Sequence, residues 1–137
     1  IAADESASHE DLETAERVFQ AVGEVYRVAE NQLDAVTGLS GSGPAYIYLV
    51  LEALSDGGVL CGLPRKLALD LAIQTIRGAA EMAVSTQEHP AVLREMVTSP
   101  GGTTIAALAA LENAATRSAF IRAVQAAAAR SKELSGE

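Results

Sequence analysis

The chain has 137 residues, a formal net charge of −8, an isoelectric point near 4.7, 49% hydrophobic residues and a single cysteine. Because it is acidic and has no cluster of Lys and Arg, the composition argues against nucleic acid or an anionic membrane surface as a partner. One cysteine allows no intrachain disulfide, which favours a reducing, cytoplasmic setting, and no apolar run is long enough to span a bilayer.

The N-terminal region predicts one helix and one strand. Ser8 followed by Asp11 resembles a capping box, apolar residues with helical spacing come next, and Gly23 is a candidate C-terminal stop. Residues 24–29 then favour a β-strand. A lone strand is not stable by itself, so we expect it to pair with a partner chain or with a sheet that this sequence does not contain.

From Leu33 onward the pattern is helical. Residues 45–54, which follow Pro44, are apolar on nearly every side, which predicts a buried helix, and Cys61 is expected to be a small buried side chain. Residues 65–85 predict a helix that is apolar over almost its whole circumference. Because so short a chain has little with which to cover that helix, we expect a partner subunit to do so.

A short helix at 91–97, an apolar run at 105–111 and a last helix at 116–134 complete the predicted elements. The loop before the apolar run, Ser99-Pro100-Gly101-Gly102-Thr103-Thr104, is the most informative stretch of the chain. Proline and glycine interrupt the helix, and Thr103 or a neighbour is the expected N-cap of the next one. Unpaired amides and the helix dipole would attract a small carboxylate or phosphate there. The alternative is a loop that only caps its helix.

Other residue patterns are uninformative or exclude a site. Gly38, Gly41 and Gly43 do not have the spacing of a dinucleotide-binding fingerprint. His9 and His89, the two histidines, stand in no metal-ligand spacing, so no metal site is expected.

Three stretches together resemble the C-terminal half of the pyrroline-5-carboxylate reductase family. They are residues 34–46, the Gly-Leu-Pro-Arg at 62–65, and the ordered signature from Leu93 through Val97 to Thr104. Enzymes of this family begin with a Rossmann domain, which is absent from this sequence. The resemblance therefore implies that residues 1–31 are the end of that domain and that the chain is a fragment.

The resemblance implies a mainly α fold for residues 32–137: a helical bundle that forms an intertwined dimer, preceded by a helix–strand remnant of the Rossmann domain. It implies reduction of the imine 1-pyrroline-5-carboxylate to L-proline with NADPH or NADH, bound mainly by the missing domain. Beyond the homodimer, a higher oligomer of dimers remains open. The fragment alone is expected to be inactive and cytoplasmic, with no nucleic acid or membrane partner.

The resemblance also assigns residue roles. The substrate carboxylate maps to Ser99, Gly101, Gly102 and Thr103, with backbone amides as the main donors. Thr104 maps to the catalytic hydroxyl, which binds the ring nitrogen of the substrate. Ser42 and Pro44 map near the nicotinamide; equally, they read as an ordinary helix start with proline in its first turn.

Two rival interpretations remain. One is the C-terminal domain of a related hydroxy-acid dehydrogenase, although such enzymes usually carry a helical Lys as acid–base and none occurs between Lys66 and Lys132. The other is a helical dimerisation module without catalysis.

Overall fold

The computed structural model describes residues 1–4 and 6–136, and this part of the chain is built from α-helices without a β-strand. The helices are α1 (His9–Gln20), α2 (Leu33–Val36), α3 (Gly43–Leu60), α4 (Arg65–Thr86), α5 (Pro90–Met96), α6 (Thr103–Asn113) and α7 (Thr116–Ser135). The mainly α fold class predicted from the sequence is confirmed. The chain divides into two compact units, Ile1–Gly43 with Ala123–Glu137, and Pro44–Arg122.

The capping box predicted at the start of α1 is present. Ser8 Oγ accepts a hydrogen bond from the Asp11 amide at 3.2 Å, and the Asp11 carboxylate accepts one from the Ser8 amide at 2.9 Å. The predicted stop at Gly23 is wrong, because α1 ends at Gln20 with Ala21 as its C-cap. There the amides of Ala21 and Val22 bond to carbonyls three residues back, which tightens and closes the last turn.

The strand predicted at 24–29 is not formed. Among the described residues, the backbone of this segment pairs with Ile1, which donates from its amino group to the Tyr26 carbonyl at 2.6 Å and accepts from the Val28 amide at 2.9 Å. That alternation is the bonding pattern of a parallel pair. A ladder needs several residues on each strand, and the described residues supply Ile1 alone as a pairing partner.

In the first unit the backbone at Gly38 packs closely against the backbone of α7. Glu30–Gln32 form a 3₁₀ turn before α2, and Thr37–Gly41 form a π-helical turn after it. Gly38, in the π-helical turn, is buried against α7. A Cβ on Gly38 would lie 2.7 Å from the carbonyl oxygen of Val124 and 2.9 Å from the amide nitrogen of Ala128. Only glycine therefore allows this approach.

In the second unit the described residues that are buried lie on α3 and α4. Ala68 and Ala72 of α4 are 3% and 6% exposed, and Ser55 of α3 is 2% exposed. The guanidinium of Arg65 donates to Ser55 Oγ at 3.2 Å, which satisfies the buried hydroxyl, and it also pairs with Asp56. These small side chains let the two helices pack closely, but they bury little apolar surface.

Most large apolar side chains of α3 and α4 are exposed in this chain. The expectation that residues 45–54 form a buried helix is therefore not met within the chain itself, since Tyr48 and Leu49 are each about two-thirds exposed. On α4 six large apolar side chains are between 39% and 66% exposed: Leu67, Leu69, Leu71, Ile73, Met82 and Val84. Exposed large apolar side chains in such number are typical of a surface that packs against another protein surface.

Cys61 is exposed just beyond the end of α3, so its predicted burial is wrong. His89 caps α5, where its Nδ1 accepts from the Ala91 amide at 3.2 Å. Across the described residues no group of three His, Cys, Asp or Glu side chains is placed to hold a metal ion. None of the described helices has the length and apolar character that crossing a membrane requires.

Candidate functional site

A tight turn brings five of the predicted site residues together between α5 and α6. The Gly102 amide donates to the Ser99 carbonyl at 3.1 Å, which closes a four-residue turn. Pro100 stands second, and Gly101 stands third with a φ of 67°. Proline at the second position and positive φ at the third are features of a type II turn. The sequence Ser-Pro-Gly-Gly is therefore the local cause of this geometry.

The turn ends at the start of α6. Gly102 is the N-cap, with extended backbone (φ −77°, ψ 175°) and no side-chain cap. The sequence predicted Thr103 or a neighbouring residue as the N-cap, and the structure shows that the neighbour Gly102 is the N-cap. A Cβ on Gly102 would collide with the Ser99 hydroxyl and would lie 3.2 Å from the Ser99 carbonyl oxygen. Gly102 must therefore be glycine for Ser99 to fold over it.

The first amides of α6 are available to a ligand. Within residues 1–4 and 6–136, the amides of Thr103, Thr104 and Ile105 have no hydrogen-bond acceptor, whereas the fourth amide, that of Ala106, bonds to the Gly102 carbonyl at 3.4 Å. Unpaired amides and the helix dipole together place partial positive charge at this end of α6. The arrangement suits a carboxylate or a phosphate.

The hydroxyls of the turn stand beside these amides. Ser99 and Thr103 are exposed, and Thr104 is half-buried in the first turn of α6. No side-chain hydrogen bond from these hydroxyls occurs in the part of the chain that the structure describes. In the sequence no Lys or Arg stands between Arg94 and Arg117. The positive potential at the turn is therefore a property of backbone amides, with added hydroxyl donors.

An apolar cleft of about 360 Å³ opens between α4 and α5 and leads up to the turn. Met82, Leu93, Met96 and Val97 are among the residues that line it. Ser99, Pro100, Gly101 and Thr103 lie beyond the cleft and are exposed. In this chain the Ser99–Gly102 turn is therefore an open surface, to which other protein surfaces must be added to make an enclosed pocket.

The far end of α6 is tied to the start of α7 by charge. Glu112 accepts from the Arg117 guanidinium at 2.6 Å. This hydrogen bond, helped by the charge of Arg117 and of Arg94, holds the pKa of the Glu112 carboxyl below its usual value. The pair joins the two helices across the short connection at Ala114 and Ala115 and takes no part in the turn.

The predicted cofactor residues stand at the start of α3. The Ser42 amide donates to the Thr37 carbonyl at 2.9 Å, which closes the π-helical turn, and the Ser42 side chain is half-buried. Pro44 is exposed in the first turn of α3. Gly43, between them, has open space where a Cβ would stand.

One residue of the site was given no role from the sequence. Thr98 lies directly before the turn, and its hydroxyl donates to the Arg94 carbonyl at 2.6 Å. A threonine hydroxyl often donates to the carbonyl four residues earlier in the chain, so the local sequence could have predicted this bond. The π-helical turn at Thr37–Gly41 was not predicted; its Gly38 packs against α7, a contact that the local sequence does not reveal.

The chain is similar to known proteins along nearly all of its length. Residues 30–134 match the family model described as pyrroline-5-carboxylate reductase dimerisation. The chain is 57% identical over 134 residues to a pyrroline-5-carboxylate reductase of Synechocystis, covering 98% of this chain and 50% of the relative. It is also 57% identical over 129 residues to the enzyme of that name from Arabidopsis thaliana, covering 94% of this chain and 47% of the relative.

Two solved structures show the same fold. A pyrroline-5-carboxylate reductase from Coxiella burnetii superposes with a TM-score of 0.92 at 44% identity, over 97% of this chain and 50% of that one. The Plasmodium falciparum pyrroline carboxylate reductase, solved with NADP bound, superposes with a TM-score of 0.89 at 35% identity, over 95% and 52%. The chain thus spans about half the length of the proteins it matches.

Proposed function

This chain belongs to the pyrroline-5-carboxylate reductase family, and from that membership we propose that the full-length protein reduces the imine of 1-pyrroline-5-carboxylate to L-proline. Near-complete coverage of the chain by relatives of that name supports the proposal. The structural observation that carries it is the open amide end of α6 behind the Ser99–Gly102 turn. A five-membered imine with a carboxylate has the size and charge for such a turn.

The carboxylate of the substrate would lie on the amides of Thr103, Thr104 and Ile105. Ser99 and Thr103 add hydroxyl donors, and the bare Cα atoms of Gly101 and Gly102 permit close approach. Hydride adds readily to a protonated iminium and poorly to a neutral imine, so the site must tolerate a cation beside the bound carboxylate. A helix terminus offers only partial positive charge, whereas an arginine would repel that cation.

Thr104 is the residue to which we assign the reacting nitrogen. Its half-buried side chain lies in the first turn of α6, two residues after Gly102, so a ring held by its carboxylate would come beside the hydroxyl. A threonine hydroxyl is too weak an acid to be the main proton source. Its role in the proposal is to orient the ring and to accept the N–H of the amine that forms.

The cofactor in this proposal is NADPH or NADH, which supplies the hydride when bound. We assign residues 1–31 to the end of the Rossmann domain and residues 32–137 to the helical domain. The parallel-type bonds of Ile1 to Tyr26 and Val28 support a sheet continuing beyond this chain. Ser42 and Pro44, flanking the open backbone at Gly43, would lie beside the nicotinamide.

A second copy of the chain is the partner we propose. The exposed apolar faces of α3 and α4 would be covered in an intertwined homodimer, which accounts for a core limited to small side chains. A ring or other oligomer of dimers is a second outcome that the measurement of the assembly distinguishes. We place the protein in the cytoplasm, because a single cysteine suits a reducing compartment.

The experiment below distinguishes the proposed function from two alternatives. A hydroxy-acid dehydrogenase is disfavoured because no Lys stands between Lys66 and Lys132. A dimerisation module without catalysis describes what we expect of this chain alone, since it lacks a dinucleotide fingerprint.

The deciding experiment follows oxidation of NADPH and of NADH by the full-length protein with 1-pyrroline-5-carboxylate. A parallel assay offers a panel of β-hydroxy acids with the oxidised cofactors. Imine-dependent oxidation that yields proline supports the proposal, and turnover of the hydroxy acids alone overturns it. Sedimentation of residues 1–137 should show a dimer or larger species without activity; a stable monomer would contradict the assigned partner.

A further inference from the structure

Thr98 stands directly before the substrate turn and donates both of its hydrogen bonds to carbonyls of α5. Its side-chain hydroxyl donates to the Arg94 carbonyl at 2.6 Å, and its amide donates to the Glu95 carbonyl at 2.9 Å. Carbonyls in the last turn of a helix lack intrahelical donors. One half-buried threonine therefore satisfies two of those carbonyls at the end of α5.

The turn begins at the next residue. Ser99 is held at its other end by the bond between its carbonyl and the Gly102 amide, and Gly102 caps α6. The connection from α5 to α6 thus contains two sets of hydrogen bonds, those of Thr98 to α5 and the Ser99–Gly102 bond across the turn. The Ser99–Gly102 bond sets the shape of the turn, and the Thr98 bonds set the direction of the turn relative to α5.

We propose that Thr98 is a positioning residue for the substrate carboxylate: its hydroxyl bond to Arg94 holds the Ser99 turn against the end of α5. This inference rests on the proposed function of the turn. Thr98 does not touch the substrate; it acts through the direction of the Ser99–Gly102 backbone. Because the carboxylate is held equally in the ground and transition states, losing the bond should raise KM more than it lowers kcat.

The chain offers a matched control. Thr86 Oγ1 donates to the Met82 carbonyl at 2.7 Å, the same bond to a carbonyl four residues back, at the end of α4. Thr98→Val and Thr86→Val each remove one such hydroxyl with little change of shape. Thr98→Ser keeps the hydroxyl and is the rescue variant.

Steady-state kinetics of the full-length protein, with varied 1-pyrroline-5-carboxylate at saturating reduced cofactor, provide the test. For Thr98→Val we expect KM to rise about fivefold while kcat stays within about twofold, since one hydrogen bond is lost. Thr98→Ser and Thr86→Val should keep KM within about twofold of the parent value.

Three results would overturn the inference. They are an unchanged KM in Thr98→Val, an equal rise in Thr86→Val, and a Thr98→Val protein that fails to fold while Thr86→Val folds, which would make the role one of stability alone. Failure of the proposed function looks different, because the unsubstituted protein itself would then not oxidise reduced cofactor with the imine.

Discussion

Gly38 lies directly against the backbone of Ala128. A Cβ on Gly38 would stand 2.9 Å from the Ala128 amide nitrogen and 3.1 Å from its Cβ, with the Val124 carbonyl at 2.7 Å. Two of these three atoms belong to the backbone of α7, which cannot yield as a flexible side chain can. The π-helical turn can therefore pack this closely against α7 only because Gly38 has no side chain.

Gly38→Ala should destabilise the protein by about 1–3 kcal/mol, the usual cost of overpacking. Thermal or urea unfolding measures it. Gly57→Ala is the matched control, because the position is helical in α3 and a Cβ there meets nothing within 4 Å. That variant should be neutral or stabilising by up to about 1 kcal/mol. Equal stability of the two variants would contradict the close packing of Gly38.

Gly102→Ala should weaken substrate binding by changing the turn. The added methyl group would collide with the Ser99 hydroxyl and press on its carbonyl, so Ser99 must move. We expect KM for the imine to rise about tenfold. In Gly101→Ala the methyl group meets open space, but a φ of 67° costs about 1 kcal/mol of stability. Kinetics and unfolding of both variants separate the effects; a wild-type KM in Gly102→Ala would argue against the turn as the binding site.

Thr104→Ala should lower kcat by about tenfold or more, because a hydrogen bond to the reacting nitrogen is lost. Alanine is a good helix former, so α6 and the melting temperature should be preserved. Thr104→Ser, which keeps the hydroxyl, should recover most of the activity. Should Thr104→Ala turn over as fast as the parent, the hydroxyl has no part in the reaction.

Ala115→Gly should stabilise the protein. Ala115 has a φ of 54°, a left-handed conformation that strains any residue with a Cβ. Glycine removes that strain at a smaller entropic cost, so we expect a gain of about 0.5–1 kcal/mol in the free energy of unfolding. Ala114, with a φ of −80°, is the control, and Ala114→Gly should give no gain. A loss of stability in Ala115→Gly would contradict the strain.

Acid should destabilise the first unit through two carboxylates. The Ser8 hydroxyl and amide lower the pKa of Asp11, and the hydrogen-bonded Arg27 guanidinium lowers that of Glu16. A lowered pKa in the folded state means that the stabilisation is present above the unfolded-state pKa and is lost as pH falls through the folded-state value.

The melting temperature should therefore drop as pH falls from about 5 towards 3. Glu16→Gln should lower the melting temperature at pH 7 and flatten the acid limb, because its ion pair with Arg27 is already absent. Glu52→Gln removes one charge from a residue without an ion pair among the described residues, and it should leave the limb unchanged. An acid limb of parental slope in Glu16→Gln would exclude this carboxylate as a cause.

The sequence alone determined the local features of this protein. Ser8 with Asp11 specified a capping box, stretches that are apolar on nearly every side predicted α4 and the first part of α3, and Pro100 with Gly101 specified a turn before α6. Such signals act within a few residues, where hydrogen bonding and allowed φ angles are decided by the residues themselves.

Only the tertiary structure decided the features that depend on distant residues. Residues 24–29 favour a strand, yet a strand forms only with partners, and Ile1 alone is too little. Cys61 suits a core, but the end of α3 lies at the surface. The need for glycine at position 38 comes from α7, far along the chain. In each case the outcome depends on residues that are distant in the sequence. Packing and strand pairing are decided by which segments meet in the folded chain, and the local sequence does not show that.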